Sequence, residues 1–176
     1  MIDRFLQFSD RFAHIGAMVA ALACFALAAM LIVEVVTTSF FAWSQPWSVE
    51  YSTYFLAATL FLGSGWTLRK GGHIRVSALF SLLPTKFVWL VDLLGTGFAT
   101  GVITFAAYAL VEQALRTYSL GSRSYFPSET LLVFPQTMLA IAFVMLALAM
   151  VSRLVRLLRR EPPQEDDIGL LPMPPE

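Results

Sequence analysis

Cysteine, histidine and charge are all scarce in this chain. Cys24 is the only cysteine among 176 residues, which excludes a disulfide scaffold. The two histidines, His14 and His73, lie far apart in sequence. With one cysteine they leave no short-spaced ligand cluster of the kind a metal site needs, and no cofactor is expected. Charged residues make up 14%, where a soluble domain carries about a quarter. Twelve basic residues balance twelve acidic ones, so no net basic field exists to hold nucleic acid. No phosphate loop, nucleophile elbow or HExxH sequence is present, and no enzymatic activity is expected. What the chain has is apolar mass: 57% hydrophobic residues and a mean hydropathy of +0.70. A small soluble sphere has too much surface to hide that fraction. Disorder of the bulk needs low hydrophobicity and is excluded as well. An integral membrane protein remains.

A membrane-crossing helix needs about 20 mostly apolar residues. Four stretches qualify, at about Ile15 to Phe41, Val49 to Leu68, Phe87 to Val111 and Leu131 to Val151. Their apolar runs are continuous, whereas barrel strands alternate. The fold class is therefore all-α, with four transmembrane helices. The first run continues far past a signal peptide's apolar core, so it is read as a span rather than a cleaved leader. Arg4, Arg11, Arg69, Lys70, Arg75, Lys86, Arg153, Arg156, Arg159 and Arg160 all fall on one side of this arrangement. Only Arg116 and Arg123 fall on the other. Basic residues collect on the cytoplasmic side, which places both termini there. Trp43 and Trp47 then mark the outer interface, and Trp66 and Trp89 the inner one.

Outside the spans, residues 1–14 read as an amphipathic interfacial helix. Ile2, Phe5, Leu6, Ser9, Phe12 and Ala13 share one face, and Asp3, Arg4, Gln7, Asp10, Arg11 and His14 the other. Phe5 and Phe12 are expected to bury in lipid while Arg4 and Arg11 meet headgroups. The alternative is a plain extension of the first span. Ile74 to Leu83, after the Gly71-Gly72 break, is too short to span and reads as a second interfacial piece. Glu112 to Thr130 forms the long outer loop, and it either folds against a partner or caps the bundle. Residues 15–160 make up the transmembrane domain. Residues 161–176, rich in proline and acid, form an expected disordered cytoplasmic tail.

Ionisable residues within spans are functional candidates by default. Glu34 has two readings. It is either a proton or cation site of a self-contained small transporter, or a carboxylate near the outer surface that snorkels or pairs with a partner subunit. Asp92 is expected to pair with basic groups at the inner interface. Glu50 suits the positive N-terminal end of the second helix. A haem held by His14 and His73 is a third functional reading, as a membrane anchor. Gly97 and Gly101 form a GxxxG on the third span, and Gly63 with Gly65 adds a small-residue face on the second. Such faces let helices approach closely in lipid, within this chain or against another.

Trp47-Ser48-Val49-Glu50, then Leu62-Gly63, then Leu68-Arg69-Lys70-Gly71-Gly72-His73-Ile74-Arg75-Val76, closing with Leu83-Pro84, resembles the small membrane subunit of tripartite ATP-independent periplasmic (TRAP) transporters, the Q or DctQ-like subunit. Pro135 near the start of the last span extends the likeness. Val49 stands where that family has the first of two glutamates, and Thr38 where it often has arginine. The resemblance implies an accessory scaffold in the bacterial inner membrane. Its implied partners are a large multi-span permease subunit and a periplasmic substrate-binding protein, with membrane lipid around them. The implied process is sodium-coupled symport of an organic acid. Glu34, Trp47, Glu50, Gly63, Arg69, Gly72, His73, Asp92, Gly97 and Gly101 are the expected partner or structural residues.

Overall fold

The computed structural model describes residues 2–70 and 85–159, and these form four helices: α1 (Ile2–Phe41), α2 (Ser48–Arg69), α3 (Thr85–Leu120) and α4 (Val133–Leu158). Three of them, over Asp3–Phe41, Phe87–Leu120 and Val133–Leu158, are long and apolar enough to cross a membrane. α2 has 22 residues, about 33 Å at the helical rise, but its serines, threonines and glycines lower its hydropathy. Those hydroxyls are not left bare. Thr53, Thr59, Ser64 and Thr67 donate to carbonyls three or four residues back, at 2.6–3.1 Å. Internal satisfaction of this kind is what an apolar solvent demands.

Residues 2–14 and the first apolar run form one unbroken helix. No proline falls between Ile2 and Phe41, and Gly16 is the only glycine, so nothing interrupts the backbone ladder. The 40-residue helix is about 60 Å long, twice a hydrocarbon core of about 30 Å. Residues 2–14 are thus the first turns of α1. Half of their expected apolar face packs on protein: Leu6, Ser9 and Ala13 are buried. Phe5 is half-buried and Phe12 exposed on its flank. The second expected interfacial piece, Ile74 to Leu83, lies outside the described residues.

α1, α2 and α4 meet over small side chains. Ala20, Ala23, Ala58, Leu62 and Ala142 form one cluster, and Leu68, Leu146, Ala149 and Met150 another. A Cβ placed on Gly16 would lie 2.6 Å from the Leu62 carbonyl oxygen and 2.8 Å from the Met145 Cε. On Gly63 it would touch the Ala20 Cβ at 3.4 Å. Helices in lipid gain dispersion contacts by such close backbone approach. α3 packs chiefly on α4, along a seam of Thr96, Thr100, Ala107, Ala114 and Thr117. Their separations of four, seven, seven and three residues keep them on one heptad stripe, as in a coiled coil. Large apolar side chains face outward on every helix, among them Phe25, Phe98 and Phe105, each more than 70% exposed.

α3 runs well past Val111, so the first part of the expected outer loop is helical. What remains, Gly121 to Leu132, is ordered by a bridge between Arg123 and Leu131. The Ser124 N–H donates to the Thr130 carbonyl at 2.9 Å and the Leu132 N–H to that of Ser122 at 3.1 Å. Gly121, with φ +60°, supplies the left-handed turn that ends α3.

Candidate functional site

Three helix ends converge on one carboxylate. Asp10 of α1 lies 2.9 Å from the Arg69 Nε at the end of α2. It also accepts two bonds from an Arg156 Nη at the end of α4, at 3.0 and 2.8 Å. A second Arg69 nitrogen donates to the Asp10 carbonyl at 3.1 Å. These side chains are each about four-fifths buried. Outward from the triad, Arg159 pairs with Asp3 at 2.8 Å. On the other flank, Arg153 of α4 pairs with Asp92 of α3 at 3.3 Å, and the Thr96 hydroxyl donates to the same carboxylate at 3.4 Å. The Trp89 indole donates to the Leu157 carbonyl at 3.2 Å. Trp66 of α2 stacks near His14, ring centroids 5.1 Å apart. The Arg69 and Lys70 cations lie 5.7 and 5.5 Å from the Trp66 ring. Amphipathic tryptophans and guanidinium pairs suit a layer where water and hydrocarbon meet.

The opposite end is held differently. Glu34 accepts the Ser44 hydroxyl at 2.9 Å and the Gln45 backbone N–H at 3.2–3.3 Å. It therefore fastens the connection that turns from α1 into α2. Ala42 in this connection has φ +50°, and the Trp43 N–H returns to the Thr37 carbonyl at 3.3 Å. Glu50 is almost wholly buried, at 1% exposure. It accepts the Tyr54 hydroxyl at 2.5 Å and the hydroxyl of Ser128, which belongs to the α3–α4 loop. A carboxylate in the first turn of α2 so ties that helix to a loop 78 residues away in sequence. Trp47 packs edge-on against Tyr51, centroids 6.0 Å apart. From this anchored loop Tyr125 stands fully exposed, with Phe126 and Pro127 beside it.

A Cβ placed on Gly95, Gly97 or Gly101 would meet nothing within 4 Å. The GxxxG of α3 is thus not a contact with any described part of this chain. Farther along α3, an apolar groove of about 420 Å³ runs between α3 and α4, lined by Val111, Ala114, Leu115, Val133 and Ile141 among others.

Residues 27–160 match the family model for tripartite ATP-independent periplasmic transporters, DctQ component. The chain belongs to the DctQ family. That family is a transporter component, not a family of enzymes. None of the curated proteins matches the chain. The DctQ match takes in α2, α3, α4 and the C-terminal part of α1, and Asp10 lies before it.

Within this DctQ chain, the candidates from sequence are parted rather than gathered. Arg69 and Asp92 stand at one end of the bundle; Glu34, Trp47 and Glu50 stand at the other; Gly63 lies in the α1–α2 contact. Arg4 and Arg11 are exposed on α1. Gly72 and His73 lie outside the described residues. Sequence reasoning misses Asp10, Arg153, Arg156, Tyr54 and Ser128. The helical period puts Asp10 on a solvated face, yet it sits at the same end of the bundle as the basic ends of α2 and α4. Matching acids and bases at helix ends on one side would find the triad. Ser128 carries no such signal, because its partner is remote in sequence and its loop has no periodicity. Among the described residues no group of three or more His, Cys, Asp or Glu is placed to hold a metal ion.

Proposed function

We propose that this chain is the accessory scaffold subunit of a TRAP-type secondary transporter in the bacterial inner membrane. All four helices cross the bilayer, both termini face the cytoplasm, and residues 161–176 extend into it as an acidic, proline-rich tail. The chain pairs with a large permease subunit and works with a periplasmic substrate-binding protein in sodium-coupled import of an organic acid. The N-terminal turns of α1 lie at the cytoplasmic interface, where Arg4, Phe5, Arg11 and Phe12 anchor them. One observation carries the scaffold reading. Each of the seven carboxylates among the described residues already has an ion-pair or hydrogen-bond partner that ties helix to helix, helix to loop or one turn to the next. These carboxylates fasten the bundle together, which suits a scaffold. The open faces of α3, by contrast, are apolar and suit a partner helix. The expected partner-facing residues are Gly97 and Gly101.

Co-expression with the large subunit tests this. The two are expected to purify as one complex, and uptake in reconstituted vesicles is expected only from the complex with its binding protein. Ion-driven flux through the small chain alone, abolished by Glu34→Gln, would overturn the scaffold reading.

A further inference from the structure

At the basic end of the bundle, α1 carries two arginines that no described acid neutralises. The described carboxylates at that end are Asp3, Asp10 and Asp92. Each of these carboxylates is already committed: Asp10 to Arg69 and Arg156, Asp3 to Arg159, Asp92 to Arg153. Arg4 and Arg11 are left exposed, with no carboxylate partner among the described residues. They are not scattered. They lie two helical turns apart on the face of α1 opposite buried Leu6, Ser9 and Ala13, separated by about 10 Å of rise. The same face continues as Ile15, Met18, Leu22 and Phe25, all more than half exposed. Along this face the helix thus presents two cations, with Gln7 between them and His14 beside Arg11, and then hydrocarbon from Ile15 on, which is the order of groups along a phospholipid.

We propose that this face of α1 seats an anionic phospholipid, its phosphate and charged headgroup between Arg4 and Arg11 and its acyl chain against Ile15, Met18 and Leu22. A zwitterionic lipid satisfies the apolar stripe equally but carries no net charge for the arginines. Selectivity for the anionic headgroup is what the unmatched charge adds. Each basic residue beside an anionic surface strengthens binding about fivefold, and salt weakens it. The inference rests on the membrane placement proposed above, not on the transporter partnership, and the two fail separately.

The full chain, purified in micelles holding equal amounts of phosphatidylglycerol and phosphatidylcholine, is tested by native mass spectrometry. Phosphatidylglycerol is expected to be retained in preference. Arg4→Gln and Arg11→Gln should each lower that preference about fivefold, and the pair should nearly abolish it. Arg4→Lys with Arg11→Lys should keep it, since charge rather than fork geometry is invoked. Arg116→Gln, at the other end, should leave it unchanged. Equal retention of the two lipids, or a preference that survives the double Gln variant, overturns the proposal. So does a preference that emerges only when Glu161, Glu165, Asp166, Asp167 and Glu176 are neutralised, because the tail is then the occupant. Loss of the preference with co-purification of the large subunit intact would overturn this inference and leave the scaffold reading standing.

Discussion

The two ends of the bundle are fastened by opposite chemistries. At the basic end, three helices share one carboxylate through two guanidiniums, and a second ion pair adds α3. At the other end, two carboxylates are held by hydroxyls and a backbone N–H, with no cation among their hydrogen-bond partners. The difference follows from what each end joins. Helix termini that meet in pairs or threes can be cross-linked by long, forked arginines, which reach between axes about 8–10 Å apart. A turn or a loop instead offers short donors close by, and a carboxylate accepts them at the cost of its hydration alone. The arginine-clamped end is therefore the more sensitive to loss of one member.

Removing the shared carboxylate is the largest test of this contrast. Asp10→Ala leaves Arg69 and Arg156 facing one another, four-fifths buried and unneutralised. Breaking a buried ion pair from one side costs about 3 kcal/mol. A matching fall in the unfolding free energy of the purified chain is expected, measured by denaturant titration in detergent. Adding Arg156→Met should return part of that loss, because the residual repulsion goes with it. A silent Asp10→Ala would show that the clamp contributes nothing beyond packing.

The second test sets the tight α1–α2–α4 contact against the open face of α3. Gly16→Val drives a branched side chain into the Leu62 carbonyl and Met145, and overpacking of this kind costs about 2 kcal/mol. Gly101→Val meets nothing within 4 Å and should leave the isolated chain's stability within about 0.5 kcal/mol. If Gly101→Val nevertheless abolishes co-purification with the large subunit, the α3 face is where that partner sits. Equal destabilisation by the two variants would mean the two surfaces do not differ in packing.

These contrasts also mark where the sequence is readable. Continuous apolar runs locate all four helices, three of them long and apolar enough to cross a membrane, because apolar length is set by the solvent and needs no tertiary knowledge. The resemblance carried by residues 47–84 leads to the family that the match over residues 27–160 establishes. Helix ends are less legible. Hydropathy falls at Val111 although α3 runs on to Leu120, since a helix continues into water as long as no breaker stops it. Residues 2–14 continue into the first span as one helix for the same reason. Glu34, Glu50 and Asp92 stand out in the sequence as acids within apolar runs, but their partners do not, because Ser128 and Arg153 come from segments whose proximity only the packing decides. The GxxxG of α3 is the strongest packing motif on paper, yet the closest approach is at Gly16, a lone glycine without pattern.

At the hydroxyl-fastened end, Glu50→Ala should cost less than loss of Asp10. It strands the Tyr54 and Ser128 hydroxyls but leaves no buried charge, for about 1.5 kcal/mol. The α3–α4 loop should then become protease-sensitive near Tyr125 before the bundle unfolds. Glu50→Gln, which keeps one acceptor, should fall between the alanine variant and the parent. Cleavage rates unchanged in both would break the link between α2 and the loop.

The smallest expected effect is a gain. Ala42 holds φ +50° in the turn after α1, where a Cβ costs about 1–2 kcal/mol relative to the right-handed region. Glycine removes that cost and gives back part of it through the wider freedom of the unfolded chain. Ala42→Gly should therefore raise stability by about 0.5 kcal/mol, read from the same denaturant titration. The Glu34 bonds to Ser44 and Gln45 bear on the sign, because they require the chain to turn at this residue. In a Glu34→Ala background the turn is no longer fixed, the strained conformation at residue 42 is no longer enforced, and the gain from glycine should vanish. A gain that persists in that background would separate the turn from the carboxylate and leave this end held by its backbone alone.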